Sequence, residues 1–291
     1  MLEEEIFFIN RFLKHTRLVQ DNAILLENNL KELNISLKDF DLFYRTLSHD
    51  IDKLQNDLIN IYIKISQYYN NIKNGFSTDG IDIDFLKKHI EKHYSSQRHH
   101  FYRNEIEPSI IDICEMCCDI DAISIEQQEE NNRIYFENYM LLHYPKLLKY
   151  KDLIFKIFYI LENKDKTLYN KKSIFLDKLT TYIRKVQNNR LIIEKNANKL
   201  NSPFDKWDFF REGIFNDITN IKNNLNNNFT KSYQVIINNK TTNNIYELCS
   251  KYCANAYFNG NNNYFLYLSE RVKVDNQEEV KIICDLIQNN N

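Results

Sequence analysis

The sequence predicts a mainly all-α protein, and three observations carry that expectation. Apolar residues recur at helical spacing over long stretches. Only 4 Gly and 3 Pro occur in 291 residues, and neither a GxGxxG nor a GxxxxGK[ST] string is present, which disfavours glycine-loop nucleotide folds. Pro108 and Pro145 stand where new helices would begin, at first-turn positions that need no backbone N–H.

Residues 3–31 read as the first helix, with Phe8, Phe12, His15 and Val19 on one stripe, so His15 is expected to face inward. Residues 39–73 read as a second long helix carrying Phe43, Leu47, Asp50, Leu54, Leu58, Ile61 and Ile65 at helical spacing, with Asp50 interrupting the apolar series. A Gly-containing connection, "NNIKNGFSTDGID", follows. Next come a short helix over 82–94, a turn through "SSQRHHF", a helix over 107–130, a continuation over 132–140 and a helix over 147–161. Beyond a soft boundary between 163 and 172, helices are expected over 172–200, 205–228, 244–258 and 277–288, with a break near Asn201-Ser202-Pro203. "SYQVIINNKTT" and "YFLYLSERVKV" supply a small β element in an otherwise mostly helical C-terminal region. The expected organisation is a helical domain over 1–165 and an Asn-rich region over 166–291, which holds 21 of the 41 Asn after residue 200.

The charge balance, 38 basic against 40 acidic residues, offers no broad electrostatic footprint for nucleic acid or membrane. The acidic N-terminus and the lack of an 18-residue apolar run point to a soluble, intracellular chain. Cys114, Cys117, Cys118, Cys249, Cys253 and Cys284 lack zinc-ribbon spacing and read as buried thiols. Trp207 reads as a packing anchor.

All 7 His precede residue 144. His15, the pair His49-Asp50, His89 or His93, the pair His99-His100, and Asp119 come from successive helices that can converge in a bundle. A buried ionised Asp50 costs several kcal/mol without a partner, and a divalent ion with mixed imidazole and carboxylate ligands removes that penalty.

The order H…HD…H…HH…D resembles the HD-domain metal-dependent phosphohydrolases, their dinuclear branch in particular. The strings "FLKHTRLV", "SHDIDK", "HYSSQRHH", "EMCCDIDA" and "LLHYPKL" are similar to the DUF5662 family over roughly residues 5–160. The resemblance implies an HD-like helical domain whose metal ligands are His15, His49, Asp50 and Asp119, with Asp50 bridging if two ions bind. It implies that His93, His99 and His100 are ligands of a second ion or substrate contacts. Lys53, one turn after His49, would stabilise phosphate oxygens, and Glu115, one turn before Asp119, would orient a ligand histidine or take a proton. Arg98 is a weaker phosphate candidate, and His143 is left outside the site.

Three positions depart from the family pattern. Asp52 stands for Ser and places negative charge beside Lys53; Gln97-Arg98 stand for Asn-Pro in the turn that aims His99 and His100; Ile120 stands for an aromatic residue. The implied function is metal-dependent hydrolysis of a phosphate ester, a phosphorylated small molecule or a nucleotide. The cofactor is one or two divalent ions, with manganese or iron favoured over magnesium. The competing readings are a non-enzymatic helical scaffold with a retained or vestigial metal site, binding a protein partner through its C-terminal region, and a nucleic-acid-associated factor using its 19 Tyr.

Overall fold

The computed structural model describes residues 3–38, 40–104, 106–127, 132–163, 171–200, 207–225, 244–273 and 276–291. The chain divides into two compact units, Met1–Ser173 and Ile174–Asn291. Every regular element among the described residues is helical, and no helix there is long and apolar enough to cross a membrane.

Helix α1 (Glu3–Asn29) opens with three glutamates that suit the positive end of its dipole. Its apolar stripe, Phe8, Phe12 and Val19, is buried, and His15 is buried with it. Val19, Ala23 and Leu26 share one core with Cys114, Cys117, Cys118, Ile157 and Phe158. Burial pushes the Cys114 thiol up to about 12, so this sulfur packs as a small neutral apolar group.

The expected helix over 39–73 is in fact broken twice, into α2 (Asp41–Leu47), a 3₁₀ turn (Ile51–Leu54) and α3 (Asn56–Asn74). Asp50 is the break: its φ of 60° is left-handed, a conformation that Asp tolerates better than most side chains. The apolar period survives the break, which hid it from a reading based on period alone. Helix α2 lacks a capping side chain of its own. Glu27 of α1 supplies one, accepting from the N–H groups of Phe40, Leu42 and Phe43 at 3.2, 2.9 and 3.3 Å. This cap fixes α2 against α1 and so fixes where its C-terminal end delivers His49 and Asp50.

Helices α4 (Ile83–His89) and α5 (Glu91–Ser96) lead into a 3₁₀ turn over Arg98–Arg103. Helix α6 (Ile110–Gln127) begins after Pro108, with a reciprocal Ser109–Asp112 cap. Then follow α7 (Asn132–Tyr135), a π-turn (Phe136–Met140), α8 (Leu141–His143), a 3₁₀ turn opened by Pro145, and α9 (Lys151–Asn163). A buried polar chain pins α1, α6 and α7 together: Asn22 and Asn132 donate to the two Asp121 oxygens at 2.8 and 2.7 Å. Polar networks satisfied in this way set helix register.

The second unit contains α10 (Lys171–Lys195) from Ile174 onward, α11 (Asp208–Leu225), α12 (Ile245–Phe258), α13 (Tyr264–Ser269) and α14 (Gln277–Asn289). Tyr264–Ser269 is a helix where the sequence suggested a strand. "SYQVIINNKTT", the break at 201–203 and residues 164–170 of the domain boundary lie outside the described residues. Three asparagines have a definite role: Asn244, Asn263 and Asn276 each cap the helix that follows. Trp207 is buried and packs edge-on to Phe210.

Arg190 is wholly buried in this unit, donating to Glu247 and at 2.6 Å to Asp217, while Lys251 lies 2.9 Å from Glu247. Two cations and two carboxylates thus neutralise one another away from water. A Cβ on Gly213 would lie 2.3 Å from Arg190 Nε. An exposed arginine would swing aside, but this one has no solvent to reach and its partners are fixed. We expect Gly213→Ala to destabilise the 174–291 unit by about 2–4 kcal/mol through overpacking and a disturbed buried ion pair, read as a lower urea midpoint.

Candidate metal centre

Five imidazoles and two carboxylates meet inside the first unit. His15 comes from α1, His49 and Asp50 from the turn after α2, His93 from α5, His99 and His100 from the 3₁₀ turn, and Asp119 from α6. Their ligand atoms form three overlapping groups that could hold a metal ion: His15, His49 and Asp50; His49, His99 and Asp119; and Asp50, His93, His99 and His100.

Asp50 lies between these groups. Its Oδ2 is 3.8 Å from His15 Nε2 and 3.6 Å from His49 Nε2, while its Oδ1 is 3.3 Å from His93 Nε2 and 3.6 Å from His99 Nε2. Asp119 lies 3.1 Å from His15 Nε2 and 3.6 Å from His49 Nε2. Burial opposes ionisation of Asp50, but the charges on His49, Lys53 and His93 hold its pKa well below the carboxylate range. Burial likewise opposes the charge on Asp119, and His15 and His49 outweigh it. Burial, then the neighbouring His99, pushes His100 well below the ordinary imidazole value.

The histidines are oriented from behind. His49 Nδ1 faces Glu115 Oε1 at 3.1 Å, and His99 Nδ1 faces the same oxygen at 3.4 Å. His93 Nδ1 faces Asp52 at 3.0 Å, and His15 Nδ1 faces Glu126 at 3.5 Å. With Nδ1 on an outer carboxylate, Nε2 is left to point at the centre; this arrangement fixes the tautomer and raises the basicity of metal-binding histidines. Arg45 takes the other Glu115 oxygen at 2.8 Å and also reaches Asp112 at 3.1 Å. His100 instead meets the Tyr102 hydroxyl at 3.2 Å and His93 Nε2 at 3.1 Å.

The donor set fits a divalent cation. On the inner side of the cluster, His49 Nε2, Asp50 Oδ1 and His99 Nε2 are buried without a hydrogen-bond partner. Buried polar atoms seldom remain unpaired, and three of them gathered at one centre call for a common partner. The ring centroids of His49 and His99 are 4.5 Å apart, and those of His99 and His100 are 4.1 Å apart. Imidazolium rings packed so closely would repel, whereas neutral rings around a cation would not.

A cavity of about 350 Å³ reaches this centre, with His15, His93, His100 and Asp119 in its lining. Lys53 also lines it, with its ammonium on Asp50 Oδ2 and 5.1 Å from the Tyr62 ring.

Several sequence expectations change. Asp52 does not extend the charge at Lys53; it accepts from His93 and Ser96. Arg98 turns away from phosphate duty and forks onto Asp112, with its Nη2 at 2.8 Å. His89 bonds the Phe85 carbonyl and His143 the Tyr139 carbonyl; both are exposed and outside the centre. Glu126 escaped the sequence reading although a signal existed. Glu115, Asp119 and Glu126 are spaced by four and then seven residues, one face of a single helix. Nothing local marked Asp52, because its direction depends on the left-handed Asp50.

Replacing the outer carboxylates should weaken divalent-ion binding without unfolding the chain. Asp52→Asn and Glu126→Gln are each expected to raise the Mn²⁺ dissociation constant about 10–100-fold in chelator competition, while His89→Ala leaves it unchanged. A pH effect follows too. Burial lowers the pKa of His15, His49 and His93, but their carboxylate neighbours raise it further, to a net value above 6.5. Their ionic stabilisation is complete below pH 6.5 and is lost as pH rises through the raised values. Thermal melts from about pH 6 to about pH 9 should show Tm falling without metal, and a growing Tm increment from Mn²⁺ as neutral imidazoles become available.

Residues 4–155, just over half the chain, match the family described as "Family of unknown function (DUF5662)". No curated protein and no solved structure gives a match.

Proposed function

We propose that this chain, which belongs to the DUF5662 family, is a metal-dependent phosphohydrolase acting on a phosphate ester of a small molecule or nucleotide. One observation carries the reading: unpartnered buried ligand atoms lie in one cluster with His15, His93, His100 and Asp119, which line a cavity together with Lys53. The order of the ligands along the chain, similar to that of the HD-domain phosphohydrolases, supports it.

A divalent cation bound by this set supplies a Lewis acid and makes water nucleophilic near neutral pH. The mixed imidazole and carboxylate donors favour manganese or iron over magnesium. Asp50, with one oxygen toward each half of the centre, is the natural bridge if two ions bind. His15 and His49 join Asp50 in one group, His93, His99 and His100 join it in another, and Asp119 links the two through His49 and His99. Glu115 acts from behind, keeping the Nδ1 protons of His49 and His99 away from the ligand side. Burial opposes the Lys53 charge, but Asp50 raises its pKa, so the ammonium stays charged in the cavity wall. From there it offsets charge that builds on phosphate oxygens as the ester bond breaks.

The full chain, loaded in turn with Mn²⁺, Fe²⁺ and Mg²⁺, should hydrolyse members of a phosphomonoester and nucleotide panel. Asp50→Ala should abolish both metal content and turnover. Lys53→Met should retain metal and lower kcat about 10²–10³-fold. Stoichiometric metal with no turnover of any ester by the unmodified chain would instead favour a structural metal site in a binding protein.

A further inference from the structure

Arg103 lies at the end of the 3₁₀ turn that carries His99 and His100, and it lines the cavity. Its guanidinium sits 3.9 Å from the centroid of the Tyr94 ring, with Tyr102 at 5.9 Å and Tyr144 at 5.8 Å. Three rings therefore hold the group in place by cation–π attraction, at little entropic cost to a ligand. Tyr94 packs edge-on to His100 at 4.8 Å, so a single ring separates the arginine from the metal centre.

Three other arginines of this unit meet carboxylates: Arg45 and Arg98 both reach Asp112, and Arg133 reaches Glu162. Among the described residues Arg103 has tyrosines for neighbours and no carboxylate at ion-pair distance. It is exposed at the cavity rim, as is Arg11. The cavity, about 350 Å³, is far larger than one phosphate group requires and falls in the range of small-molecule sites. A positioned guanidinium without a counter-charge presents its donor fork to a bidentate oxyanion, phosphate or carboxylate.

We propose that Arg103 binds a second anionic group of the substrate, distal to the phosphate at the metal centre, so that the preferred substrate is a phosphate ester that also carries a separate phosphate or carboxylate. This rests on the hydrolase reading for the identity of the reacting group, but its own claim concerns binding. Arg103 would be a specificity residue for ester-borne phosphate or carboxylate, and Tyr94 would position it.

Calorimetric titration of the full Mn²⁺-loaded chain with non-hydrolysable probes tests the proposal. Propylphosphonate carries one anionic group, and propylenediphosphonate and phosphonobutyrate carry two. The unmodified chain should bind at least one doubly anionic probe about tenfold or more tighter than propylphosphonate. The tighter of those two identifies the distal group as phosphate or carboxylate. Arg103→Met should erase the preference while leaving propylphosphonate binding unchanged, and Arg103→Lys should restore only part of it, since a point charge lacks the fork. Equal affinity for all three probes in the unmodified chain would overturn the proposal, as would an Arg103→Met variant that weakens all three alike. An Arg103-dependent preference in a chain that hydrolyses no ester would uphold it while removing the hydrolase reading.

Discussion

Asp50 is 2% exposed, ionised, and set on a left-handed turn between two helices. A carboxylate in that position is tenable only when cations or donors surround it, and the rest of the first unit provides them. Glu27 caps α2 so that the turn falls at the centre of the bundle. Lys53 follows within the next turn, and imidazoles from four segments close in on both oxygens. Strained backbone at a buried charged residue persists only where its surroundings over-determine it, and this combination is concentrated at functional sites.

The outer ring of carboxylates explains why so much charge can be buried together. Glu115, Asp52 and Glu126 each take an Nδ1, and Arg45 balances Glu115 from its far side. Without a cation, protonated histidines compensate the carboxylates; with one, neutral imidazoles face it. The same side chains thus serve both states, and the three unpartnered atoms on the inner side mark the difference between them. The second unit handles buried charge differently. Its Arg190, Lys251, Glu247 and Asp217 neutralise one another directly, with no cluster of histidines beside them.

Much of this was legible along the chain. The stripe of Phe8, Phe12, His15 and Val19 gave the inward direction of His15, because α1 is an uninterrupted helix and period alone decides its faces. The spacing of Glu115 and Asp119 on α6 was equally direct. The helix expected over 39–73 failed for a related reason: apolar period continues through Asp50, whereas the backbone does not. Asp52 and Arg98 were misjudged together, since both were placed by neighbours in sequence. Their partners, His93 and Asp112, are far from them in the chain.

Periodicity and residue chemistry along the chain were enough for the helical class, the inward face of α1, and the histidines and carboxylates that are candidates to share a cation. Those properties follow from period and from side-chain chemistry, which are local. The packing of the helices set which oxygen of Asp50 faces which imidazoles, put Asp52 and Glu126 behind His93 and His15, and left His89 outside. It also placed Arg103 against Tyr94 and Tyr144 without a carboxylate. Such relations depend on the turn at Asp50 and on how separate helices pack, and neither has a period that a sequence can display.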